Sequence, residues 1–156
     1  MAAFNDFTEN KLIDFIFRAQ ALGITGASAA AGTGPTALFV ALFTAAPTDT
    51  GGGTEVTGGS YARVSVTSSL TAWAGTQAAA STTASTGTSG TTSNNATITY
   101  PAPTANWGVV TSYAVFDAAS AGNMLIYGTL TTSKTVNNGD PAPSFAAAAL
   151  TFQIDN

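Results

Sequence analysis

The hydrophobic period changes once along this chain, and that change limits the possible folds more than any other feature. Up to Gly23, apolar side chains recur at helical spacing; beyond it they come in short runs bounded by Gly, Pro and Asn. Leu12, Phe15, Ile16, Ala19 and Leu22 form a stripe at i, i+3, i+4, i+7 and i+10, widened by Ile13 and Phe17. Asp6 with Glu9 has the spacing of a capping box, Thr8 is a competing cap, and Gly23 stands where a C′ glycine ends a helix. Asn10, Asp14 and Arg18 step by four along the opposite side, with Asp14 and Arg18 placed for a weak surface pair. The apolar arc is wider than one core face needs. Leu12, Phe15, Ile16, Phe17 and Leu22 are therefore candidate interface residues, expected to bury in part against another subunit rather than wholly on their own domain.

The rest reads as β. Ala37 to Thr44 is a short apolar run between Gly34-Pro35 and Ala46-Pro47, the length of a buried strand. Tyr61, Arg63, Ser65 and Thr67 alternate with Ala62, Val64 and Val66 at period two. Further strands are expected at 96–100, 109–116, 124–130 and 150–154, with Asn138-Gly139 supplying a tight-turn signal. Residues 74–95 are almost all Ala, Ser, Thr and Gly. Such a segment has little apolar area to offset its ordering entropy, so a neighbouring subunit is expected to hold it if it is ordered. The resulting division is a helical arm at 1–23, a linker at 24–36 and a β-domain at 37–156 containing a low-complexity loop at 74–95. The fold class is mainly β: an antiparallel sandwich or barrel-like domain with an N-terminal α-helix.

Composition then removes most chemistry. The 156 residues include no His and no Cys, and only 4 Lys+Arg against 8 Asp+Glu. The usual general base near neutral pH and the strongest common nucleophile are both missing, so no enzymatic activity, catalytic residue, cofactor or metal is expected. Asp49 and Glu55 flank a Gly-rich loop but lack the alternating oxygen ligands of a calcium loop. Lys11 and Lys134, with many Asn in the sequence, raise the possibility of an isopeptide crosslink, which would need a buried Lys, Asn and acid together. The acidic balance argues against nucleic acid. The stretch from Leu12 to Leu22 is interrupted by Asp14 and Arg18 and is too short to cross a bilayer, so no membrane partner is expected. Tyr61, Trp73, Trp107 and Tyr113 are candidate core or interface aromatics, and with Tyr100 they would be the residues of a carbohydrate platform. Trp107, in particular, is expected to be buried.

Three blocks carry a resemblance: 37–64 (ALFVALFTAAPTDTGGGTEVTGGSYARV), 98–117 (ITYPAPTANWGVVTSYAVFD) and 122–145 (GNMLIYGTLTTSKTVNNGDPAPSF). In this order they resemble a family of small tailed-bacteriophage virion proteins known as phage tail fiber proteins. Tyr61-Ala62-Arg63-Val64, Trp107-Gly108 and Asn137-x-Gly139-Asp140 match best, while the stretch after Trp73 is longer than in relatives. The resemblance implies a virion structural protein, made in the host cytoplasm, and supplies no catalytic residues. Three roles follow in order of expectation. The first is a capsid cement or decoration protein, homotrimeric, bridging subunits of the major capsid protein. The second is a tail or tail-fibre component contacting other tail proteins, and the third a carbohydrate-binding module.

Overall fold

A computed structural model describes residues 4–23 and 34–154. The expected linker at 24–36 therefore lies mostly outside the described residues. The order is α1 (Asp6–Arg18), β1 (Ala37–Ala45), β2 (Thr54–Glu55), β3 (Val64–Thr67), β4 (Thr91–Ser93), β5 (Ile98–Thr99), β6 (Gly108–Phe116), β7 (Met124–Val136), β8 (Ser144–Phe145) and β9 (Thr151–Gln153). The protein is mainly β with antiparallel sheets and one N-terminal helix; the sheets stay open, so the sandwich alternative holds and the closed barrel does not.

Two compact units make up the fold. One comprises 1–37, 67–98 and 145–156; the other comprises 38–66 and 99–144. This differs from an arm followed by a single β-domain: the helix shares a unit with the low-complexity segment and the C-terminal strand. The reason lies in which face of α1 is buried. Ile13 and Phe17 are enclosed, but so are Glu9, Asp14 and Arg18 from the polar side. Phe17 meets Trp73 edge-on at 5.2 Å between ring centroids and stacks on Phe152 at 5.1 Å. Trp73 and Phe152 also pack on each other, at 5.9 Å, and Leu150 is buried in the same unit.

Both ends of α1 differ from expectation. Asn5, not Asp6, is the N-cap, and its side chain accepts the Thr8 N–H at 3.1 Å. The backbone reverses at Ala19, which takes a left-handed φ of 53°, and Gln20 N–H closes back on the Asp14 carbonyl at 3.0 Å. The Gln20 side chain also donates to the Arg18 carbonyl, so the helix is closed several residues before Gly23.

The second unit is built on one sheet, in the order β2-β1-β6-β7 with β3 also on β1. In register, Phe39 faces Phe116, Ala41 faces Ala114 and Phe43 faces Ser112. Period two therefore gathers Phe39, Ala41, Phe43, Ala114, Phe116 and Met124 into one apolar cluster. Tyr113 lies opposite Gly128, where an added Cβ would come within 2.6 Å of its hydroxyl, so the glycine makes room for the ring. The Asn-Gly turn does not close a hairpin with the next strand: it leads from β7 to β8, and β8 pairs with β5.

Candidate functional site

In the strand-rich unit the expected strand from Tyr61 starts only at Val64, and Tyr61 and Arg63, in the irregular segment just before it, converge on Glu55 of β2. Arg63 grips Glu55 with two parallel bonds, from Nε and Nη2, each 2.8 Å. Its Nη1 donates to the carbonyls of Ala118 and Ala121 at 3.0 and 2.9 Å, and its guanidinium lies 3.6 Å from the Phe116 ring centroid. The bond to Glu55 raises the Arg63 pKa further above its ordinary value. The Tyr61 hydroxyl accepts the Leu42 N–H and donates to Glu55 Oε1, and burial pushes this phenol far above its ordinary range. Asp117 closes the loop that Arg63 holds, taking bonds from Asn123 N and Nδ2 that lower its carboxyl pKa. Every strong donor in this cluster is committed to backbone or to a fixed partner. It fastens the 117–123 loop and leaves no activated nucleophile or base.

Beside it, Tyr61 stacks on Tyr100 at 6.2 Å, and both meet Trp107 edge-on, at 5.3 and 6.5 Å. Trp107 is 5% exposed, and its Nε1 donates to the Gly59 carbonyl at 3.0 Å. Tyr100 donates to the Val40 carbonyl, and burial raises its phenol pKa strongly. Tyr113 is half-buried, and Trp73 is fully enclosed in the other unit. A sugar platform needs ring faces open to solvent, and Trp73, Tyr100 and Trp107 offer none.

The helix unit holds a network that periodicity did not reveal. Asp14 and Arg18 are not the exposed pair their spacing suggests; they bond at 2.7 Å with side-chain exposures of 6% and 0%. Arg18 Nε donates to the Trp73 carbonyl, Nη2 to the Thr83 carbonyl and Nη1 to Ser85 Oγ. Asp14 accepts from both the N–H and the hydroxyl of Ser85. One turn earlier, Asn10 donates to the Gly87 carbonyl and accepts from Thr76 Oγ1. The supposed solvent face of α1 thus orders the low-complexity segment from within the same polypeptide. The one sequence signal for it is reciprocal: a segment without apolar area needs polar partners, and a polar helical row can provide them.

Among the candidate interface residues, Phe17 is core, while Leu12, Phe15, Ile16 and Leu22 are half-buried. The apolar side chains most open at this end are ones the stripe did not include, Phe4 just before the helix at 58% and Phe7 in its first turn at 53%. On the other unit, Val109, Leu125 and Tyr127 are exposed, and β7 pairs only with β6 among the described residues. Lys11 lies 5.8 Å from the centroid of the Phe7 ring and Lys134 is exposed on β7, so neither occupies the buried triad of an isopeptide crosslink. Asp49 is exposed at a turn and Glu55 is held by Arg63, so the two do not form a calcium loop.

No curated protein matches the sequence. The profile of the podophage GP4 fiber I protein gp80 family matches residues 3–153. That span takes in both units and all three blocks that carry the resemblance. It brings with it a virion structural role. The chain belongs to the podophage GP4 fiber I protein gp80 family.

Proposed function

We propose that this protein is a structural component of the phage tail fibre, a reading carried by the family match over residues 3–153. It is preferred to the capsid-cement role that a compact β-domain, an apolar helical arm and a neutral linker suggested. The packing supports a durable, non-catalytic part: Arg63 and Arg18 spend their charge fastening loops, and the large aromatics are enclosed. Assembly is through like subunits or other tail proteins, with Phe4 and Phe7 as the contact residues of the helical end, since neither adds to the core of its own unit.

Labelling intact virions with an antibody to this protein tests the location. Label confined to the tail is expected, and label spread over the head would restore the cement role. Removing residues 1–23 is a poor test of assembly, because Ile13, Phe17 and Arg18 are buried in the protein's own fold. Replacing Phe4 and Phe7 with Ser avoids that problem. The doubly substituted protein is expected to fold as before while incorporation into particles falls; unchanged incorporation would refute the contact.

A further inference from the structure

The turn at Asn137-Asn138-Gly139-Asp140 is one of the best family matches, yet it takes no part in the loop clamp or the aromatic cluster. It has the chemistry of a modification site. Asn-Gly is the pair in which a backbone nitrogen most easily reaches the preceding side-chain amide, because glycine places no Cβ in the way. Here the corner is exposed, and a Cβ built on Gly139 would meet nothing within 4 Å. What restrains the pair is hydrogen bonding. Gly139 N–H donates to the Pro103 carbonyl at 3.0 Å, and Asn138 N–H donates to Asn106 Oδ1 at 2.8 Å. Asp140 closes the turn on both sides: its Oδ2 takes the Asn137 N–H at 2.8 Å, and its own N–H reaches the Asn137 carbonyl at 3.2 Å. Gly139 sits at φ +79°, the position that a type II turn reserves for glycine.

We propose that Asn138-Gly139 is a latent deamidation site, held off by this docking and released when the corner opens. In the open state the Gly139 nitrogen loses its proton to hydroxide and attacks the Asn138 amide carbon, Cγ. A bond forms between the Gly139 nitrogen and Cγ, the bond from Cγ to Nδ2 breaks, and the departing nitrogen takes a proton from water and leaves as ammonia, giving a five-membered succinimide and returning hydroxide. Water then adds to either carbonyl and opens the ring to aspartate or isoaspartate. Hydroxide and water are the only co-reactants. In the docked state the proton that must leave is held by the Pro103 carbonyl. Reaction therefore requires local opening, and each factor of ten in slowing corresponds to about 1.4 kcal/mol of opening free energy. The product adds a carboxylate beside Asp140, and isoaspartate also lengthens the backbone by one carbon. The extra backbone carbon of isoaspartate does not fit the docked turn, so with that product a transient opening becomes a permanent one.

The test incubates the full-length protein in mildly alkaline buffer, folded and in urea, and follows the peptide containing Asn138 by mass spectrometry. The folded protein is expected to deamidate at least about tenfold more slowly than the unfolded one. Asn106→Ala, which removes the acceptor for Asn138 N–H, is expected to give an intermediate rate while retaining the wild-type circular dichroism spectrum. Equal rates for folded and unfolded wild type, or a folded Asn106→Ala rate no faster than wild type, would overturn the proposal.

Discussion

The two units solve the same shortage differently. The strand-rich unit has sheet ladders and period-two faces, so its apolar side chains meet in register and the ion pair of Arg63 with Glu55 only pins a loop. The helix unit has long stretches of Ala, Ser, Thr and Gly, and its strands β4 and β9 are three residues each. There, side chains of one helix row reach directly to the backbone of a distant segment. A sequence with few charges can order a low-complexity stretch, provided those few charges are buried against it and fully bonded.

Two substitutions should break the units through opposite mechanisms. Arg18→Ala leaves Asp14 buried without its cation and frees the Trp73 and Thr83 carbonyls. A loss of about 3–5 kcal/mol in urea unfolding is expected, with amide exchange rising first across 76–90. Trp107→Ala empties the centre of the aromatic cluster, and about 3–5 kcal/mol is again expected, with exchange rising instead in β1 and β6. Identical exchange maps for the two variants would dissolve the contrast.

Arg63→Lys keeps the charge but loses the paired bonds and the stacking on Phe116. About 1.5–3 kcal/mol is expected, with proteolysis falling first on the 117–123 loop.

Alkali sharpens the comparison further, because the strongly shifted phenols of Tyr61 and Tyr100 both lie in the strand-rich unit. Their folded pKa values are raised by burial, so the unfolded state ionises first. Their stability contribution is complete below the ordinary phenol pKa of 10.0 and is lost as pH rises above it. Tyr61→Phe should flatten the fall in thermal midpoint above that pH; an unchanged alkaline slope would show that Tyr61 plays no part.

The smallest effect belongs to Asp117, whose folded pKa is lowered. Its contribution is present above the ordinary carboxylate pKa of 3.8 and disappears as pH falls through the lower folded value. Asn123→Ala, which removes the side-chain bond but keeps the backbone one, should weaken that acid sensitivity and change little at neutral pH, as measured by thermal melts across the acid range.

By itself, the amino-acid order determined where the period switches from helix to strand, which runs become β1, β6 and β7, and that Trp107 is enclosed. Those features depend on neighbours a few residues apart, so local spacing carries them. The short strands β2, β4 and β8 left no such trace, because two or three residues cannot display a period and their pairing is set by distant partners. The face that α1 buries was decided only by tertiary structure. Helical periodicity separates an apolar side from a polar one, but it does not say which side meets protein. Asp14 and Arg18 became interior, and Asn10 half-buried, because residues 65 to 77 positions further on supplied the hydroxyls, amides and carbonyls that balance their desolvation.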